Sequence, residues 1–240
     1  MHRKKLLVAS IVFGLLTMVP LAFAGNANPG VLSPSAHSYG MTYGEWSAVW
    51  WQWAVSFPAT INPMLDLTGA DCALGQSGPV WFLAGTPGFP ATRTCTVPTG
   101  KAILFPIVNV IDDANSCPPG TPGGGQPAPG QSLEDFLRQD AATYIDPVDI
   151  LEVEVDGVAL HDLFSYRAPS RLFPFTGDPS LTAVFDPCIT GSSQPGVSDG
   201  YWIMLAPLSA GTHTIHFKGG ISSVFATEVT YHLTVMPGKQ

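Results

Sequence analysis

The sequence predicts a mainly β fold: an antiparallel β-sandwich, immunoglobulin-like or jelly-roll-like, with two short helices. Three observations carry this expectation. Charged residues make up only 12% of the 240 residues, about half the usual share and too few for long solvent-facing helices. The chain holds 25 glycines and 23 prolines, which break helices and punctuate turns. Between those breakers, β-branched or alternating apolar runs recur at short intervals, as they do in sandwiches.

The chain opens on Arg3, Lys4 and Lys5, continues as an uncharged apolar run from Leu6 to Leu21, and reaches Ala22-Phe23-Ala24. That order predicts a cleaved secretory signal over residues 1–24, followed by a single β-rich domain over 25–240. The apolar run is shorter than the roughly 20 residues of a spanning helix, so no transmembrane anchor is expected after cleavage. Removing three basic residues and no acid takes the net charge from −8 to −11, which disfavours nucleic acid and anionic membrane surfaces as partners. An exported chain meets an oxidising compartment, secreted or periplasmic. Its four cysteines then predict two disulfides among three possible connectivities. Cys72 and Cys95 flank a short strand-like excursion and are the first pairing; Cys117 with Cys188 follows.

The segment Tyr39 to Pro58 places Trp46, Val49, Trp50, Trp53 and Phe57 at three- and four-residue spacing. This predicts a short helix with Thr42 as N-cap and Glu45 completing a capping box. Its stripe packs onto a sheet, while Trp51 points away and is the ring expected to be exposed. Strands are expected at Pro79 to Gly85, Thr92 to Pro98 and Lys101 to Asn109, joined as a meander with a turn at Thr99-Gly100. Residues 118–130 contain ten Gly or Pro in thirteen positions and read as a linker or a long surface loop. Anchorage by a Cys117–Cys188 bridge favours the loop. Ser132 and Asp135 then cap a helix from Leu133 to Tyr144. Val148 to Leu160 alternates cleanly toward a turn at Asp156-Gly157. Further strands are expected at Leu181 to Asp186, Gly200 to Leu208, Thr212 to Gly219 and Glu228 to Pro237.

Taken in order, the segments EWSAVWWQW, GPVWFLAGT, GKAILFPIVN, SDGYW and PLSAGTHTIHFKG resemble a family of uncharacterised exported bacterial proteins. The resemblance spans most of the chain after residue 24 and implies no catalytic residues. The last segment alone is similar to the closing strands of immunoglobulin-like or carbohydrate-module-like sandwiches, which bears on fold and leaves function open.

The sequence lacks G-x-S-x-G, H-E-x-x-H and a phosphate-cradling glycine loop, which disfavours serine hydrolase, zincin and nucleotide chemistry. His213 and His216 fall on opposite faces of a strand. His216 and His232 share an outward face, where solvated histidines account for them as well as a metal does. Paired carboxylates would serve a glycosidase. Glu45, Asp66, Asp71, Asp112 and Asp113 lie near aromatic segments, but their spacing fixes no pair. In HDLFSYR, Arg167 would neutralise a uronate while Tyr166 or His161 moved a proton, as in a lyase; packing and surface roles are the plainer account. Asn109, Asp112 and Asp113, with Asn115 nearby, gather oxygen ligands as a calcium loop would, although Asx residues also cap turns.

The expectation is therefore a non-enzymatic exported module, binding a glycan or a cell-envelope component through an exposed ring such as Trp51. The rival is a polysaccharide-active hydrolase or lyase. Two converging carboxylates in a cleft, or His161 beside Tyr166 and Arg167, would favour the enzyme; a shallow aromatic face would favour binding.

Overall fold

The structure, a computed structural model, describes residues 28, 30–121 and 124–236. The segment read as an export signal lies outside them. Among the described residues, no helix is long and apolar enough to cross a membrane.

The chain is mostly β, with two α-helices and two sheets. In chain order the elements are α1 (Tyr43–Ala54), β1 (Val80–Phe82), β2 (Pro90–Pro98), β3 (Ala102–Asp112), α2 (Leu133–Ile145), β4 (Ile150–Val155) and β5 (Val158–Ala159). They are followed by β6 (Phe173–Phe175), β7 (Gln194–Leu205), β8 (Gly211–Ile221) and β9 (Phe225–Met236). One sheet has the order β1-β3-β7-β6 and the other β2-β9-β8-β4-β5. Phe105 of β3 stacks on Phe217 of β8 with centroids 5.0 Å apart, and Phe217 stacks in turn on Tyr231 of β9. Where β3 passes β8, a Cβ on Gly219 would sit 2.7 Å from the carbonyl oxygen of Ile107. Glycine is what lets the backbones approach there.

The expectation of purely antiparallel pairing is wrong, since β1 pairs parallel with β3 and β2 parallel with β9. The meander over residues 79–109 is wrong for the same reason. β2 buries every second residue, Ala91, Arg93, Cys95 and Val97, whereas β3 is buried along most of its length. The first pattern suits a strand with one covered face and the second a strand covered on both. The turn at Thr99-Gly100 therefore crosses between sheets. The strand expected at Leu181 to Asp186 is instead a 3-10 turn, Pro179–Ala183. Asp178 caps it by accepting from Ser180 N at 2.9 Å.

α1 forms with the expected capping box: Glu45 N donates to Thr42 Oγ1 at 3.2 Å, and Thr42 N donates to Glu45 Oε2 at 2.7 Å. α2 has Ser132 as its cap. Trp46, Trp50 and Trp53 are buried, as their spacing predicts, and Trp50 meets Trp202 of β7 edge-on at 5.4 Å. Trp51 is not exposed; only 3% of it reaches solvent. Its ring lies 5.0 Å from Trp50 and 5.9 Å from Phe185, so the loop after the 3-10 turn covers the face the helical period assigned to solvent. α2 packs Leu137 and Ala141 against Val197 of β7 and Ala114. Both disulfides form as expected, Cys72–Cys95 and Cys117–Cys188. The second anchors the Pro/Gly-rich segment at its base, and Gly125 N donates to Ala114 O at 3.2 Å within that loop.

Candidate functional site

Where β3 ends, the chain turns through Asp112 and Asp113 beneath the loop joined by Cys117–Cys188. A cavity of about 400 Å³ opens there, within the range of small-ligand sites. α1 contributes Trp50 and Trp51, α2 contributes Asp140 and Tyr144, and the covering loop contributes Phe185 and Asp186. Asn109, Asp112, Asp113, the disulfide and Phe225, at the start of β9, also line it.

Four carboxyl groups thus share one cavity, and no Lys, Arg or His is among the described residues lining it. They form two pairs. Carboxylate oxygens of Asp113 and Asp186 lie within 4.8 Å of each other, while Asp112 faces Asp140 across from α2. Asp113 is held by Gln194 Nε2, which also donates to Cys188 O at 3.0 Å. Asp186 accepts from Cys188 N at 2.8 Å, and Asp112 Oδ1 from Ala114 N at 3.0 Å. The bridge, the glutamine and these two turns together fix where the acids stand.

Burial drives Asp112, Asp113 and Asp186 toward their protonated forms, and like charge adds to it at the first two. Burial first, then the proximity of Asp186 and Asp112, pushes Asp113 up to about 8. Burial, then Asp140 and Asp186, pushes Asp112 up to about 7. Asp186 is raised by its burial, and the Tyr144 phenol is raised by burial and by the acids it faces.

Three polar atoms of cavity-lining residues have no hydrogen-bond partner among the described residues: Trp51 Nε1, Asn109 Nδ2 and Asp112 Oδ2. Trp50, by contrast, donates to Leu83 O at 3.0 Å. Trp81 and Trp202 also carry unpartnered indole N–H groups, but they do not line this cavity.

The metal candidates Asn109, Asp112 and Asp113 all reach the cavity. Among the described residues, the trio of acidic, His or Cys side chains with ligand atoms within 4.8 Å of one another is Asp113, Asp186 and Cys188. The Cys188 sulfur is already bonded to Cys117, which leaves two oxygens where calcium takes six to eight. The acids face each other as pairs more than they converge on a point.

The remaining sequence candidates are elsewhere. Glu45 is spent on the helix cap, where hydrogen bonds from Thr42 hold its carboxyl below the usual range. Asp66 accepts from Thr68 N and Asp71 N in its own turn. Tyr166 is buried and accepts from Asn28 Nδ2 at 3.3 Å, and the backbone N–H of His161 donates to Asn28 Oδ1. Arg167 is ion-paired with Asp199 at 2.6 Å and Asp146 at 2.7 Å, so its charge is already matched. None of these lines the cavity. His213 pairs with Asp156, and His216 pairs with Glu228 on the opposite face of β8.

Asp140 and Asp186 were missed. Asp140 reads as the polar side of an amphipathic helix, but it lies four residues before Tyr144. Asp186 stands two residues before Cys188, and Asp113 four before Cys117. The expected disulfide already tethered the two acids, and that was the signal. No protein-family model, curated protein or solved structure matches this chain.

Proposed function

We propose that this chain is an exported binding protein whose two facing sheets form a β-sandwich and whose acidic cavity takes a polyhydroxylated ligand, a carbohydrate. The observation that carries this reading is the joint presence, in one cavity, of four carboxyl groups and the aromatic rings of Trp51, Tyr144, Phe185 and Phe225. A sugar hydroxyl donates to a carboxyl oxygen while the C–H face of the sugar ring packs on an aromatic ring, so a sugar meets both surfaces. The rings of Tyr144, Phe185 and Phe225 supply apolar faces beside them. The acids favour a neutral or amino sugar and repel a uronate or a phosphate. The basic start, the apolar run and the two disulfides support export to a secreted or periplasmic location.

A glycan array followed by calorimetry tests this. Wild-type protein is expected to select a neutral or amino sugar. Tyr144→Ala removes an aromatic face while leaving the acids in place and is expected to weaken binding by about tenfold. Binding confined to anionic glycans, or untouched by Tyr144→Ala, would contradict the assignment.

A further inference from the structure

We propose that His213 is a proton-dependent latch: as an imidazolium it ties the turn after β4 to the connection between β7 and β8, and once neutral it lets that connection go. The observation that carries the proposal is that both ring nitrogens face acceptors. Nδ1 lies 2.7 Å from Asp156 Oδ2, and Nε2 lies 3.0 Å from Ser209 O. A carboxylate and a carbonyl offer lone pairs only, and a neutral imidazole has a single N–H, so the cation alone satisfies both contacts.

The surroundings hold the ring in that form. Asp156 opens the Asp156-Gly157 turn in the left-handed region, at φ 51° followed by 79°. Its Oδ1 accepts from Thr214 N at 2.8 Å, and its own N–H donates to Thr214 O at 2.8 Å, which fixes the carboxylate beside β8. Only 12% of the His213 side chain reaches solvent, so water does not readily replace either partner. Burial works against the charged ring, but the bonds to Asp156 and Ser209 outweigh it and hold its pKa above the ordinary histidine value. Burial likewise opposes the Asp156 charge, and the bonds from His213 and Thr214 outweigh it and hold that carboxyl below the usual range. Among the described residues, Asp156 is the charged group that bears on the ring. β9 places Leu233 across the ladder from His213, and residues 206–210 of the connection are uncharged.

Because the folded pKa is raised, the latch is closed below the unfolded histidine value and opens as pH rises through the folded one. The Nδ1 proton stays with the Asp156 carboxylate, so the proton that leaves for solvent is the one on Nε2. The bared lone pair then faces the Ser209 carbonyl oxygen, and two acceptors at hydrogen-bond distance repel. The connection is released while the ring stays on Asp156.

The test is nitrogen NMR of the His213 ring, run on the intact protein alongside carbon-detected backbone relaxation from about pH 5 to about pH 9. At the acid end both ring nitrogens are expected to carry protons and Ser209 and Ala210 to be rigid, with order parameters near about 0.85; at the alkaline end Nδ1 alone is protonated and the two residues fall below about 0.6. Ring and connection share one midpoint, and the β3 backbone stays rigid throughout, which separates the release from global loosening. Asp156→Asn removes the charge that favours the cation and is expected to move the midpoint to lower pH. His213→Gln, which does not titrate in this range, is expected to remove the step. A ring that titrates at or below the ordinary histidine value would overturn the proposal. So would a ring that titrates as expected while Ser209 and Ala210 keep their order. If His213→Gln does not fold, wild type and Asp156→Asn decide between these outcomes.

Discussion

Arg93 offers the most demanding test of how the fold is held. It sits on the buried face of β2 with 1% of its surface exposed, and among the described residues no carboxylate pairs with it. Its charge is matched by backbone dipoles. Nε donates to Asp66 O at 2.6 Å, Nη2 to Met64 O at 3.1 Å, and Nη1 to Ala84 O at 2.6 Å, Gly85 O at 3.2 Å and Tyr231 Oη at 2.8 Å. The Tyr231 ring also lies beneath the guanidinium, 5.5 Å from centroid to Cζ. One side chain thus ties the loop after α1 and the segment after β1 to the second sheet, and Met64 and Gly85 reach the cavity wall. Arg93→Met keeps the stem and removes every donor. Ala84 O keeps the Tyr231 hydroxyl, which donates at 2.9 Å, so the carbonyls of Met64, Asp66 and Gly85 are the ones stranded. Each buried orphan costs about 1–3 kcal/mol, offset by no longer desolvating a guanidinium. The net expectation is about 3–5 kcal/mol. Arg93→Lys keeps the charge but has three donors in place of five and no planar fork, and is expected to cost about 2 kcal/mol. Urea unfolding followed by tryptophan fluorescence reads both as a fall in midpoint at unchanged slope. An Arg93→Met protein within about 1 kcal/mol of wild type would refute the reasoning.

The cavity acids make stability depend on pH. With Asp112 raised to about 7 and Asp113 to about 8 in the folded chain, and both near 4 when unfolded, the folded state binds more protons across that window. Stability is therefore expected to fall as pH rises from about 5 to about 9. Asp113→Asn should recover about 1–3 kcal/mol at the upper end, measured by melting at both pH values; a wild type more stable at about pH 9 than at about pH 5 would run against the assignment. Trp50→Ala removes a fully buried ring and its hydrogen bond to Leu83, and is expected to cost about 3–5 kcal/mol. Trp51→Phe should cost far less in a thermal melt, because its N–H has no partner to lose. The paired change Cys117→Ser and Cys188→Ser opens a 71-residue separation and should destabilise by about 4 kcal/mol, against about 3 kcal/mol for the 23-residue separation of Cys72–Cys95. The first pair should also abolish glycan binding, as measured by calorimetry.

Local chemistry was legible in the sequence because it acts over a few residues. The Thr42 to Glu45 box, the Ser132 cap and the alternation through Glu152 and Glu154 depend on neighbours in the chain. Sheet partners do not. Nothing within residues 90–98 says that the strand pairs with residues 228–236, or that it does so in parallel. Trp51 failed for a related reason: helical period finds the face turned from the sheet but not a later loop that covers it. Asp112 and Asp113 were visible as candidates, yet their partners Asp140 and Asp186 come from a helix and a loop far along the chain. Arg93 carried no signal at all, since a lone arginine in an alternating strand reads as a surface residue.

The account turns on carboxyl groups that hold protons where isolated aspartates would have lost them. A carbon-detected NMR titration of the aspartate side chains in the intact protein, with Asp113→Asn and Asp112→Asn for assignment, measures this without knowledge of the ligand. The account predicts that Asp113 titrates at about 8 and Asp112 at about 7, with Asp186 raised above its ordinary value by burial. If every aspartate lining the cavity instead titrates below about pH 5, near its ordinary value, the pairs are solvated and independent, and the reading of this cavity as a proton-sharing site is contradicted.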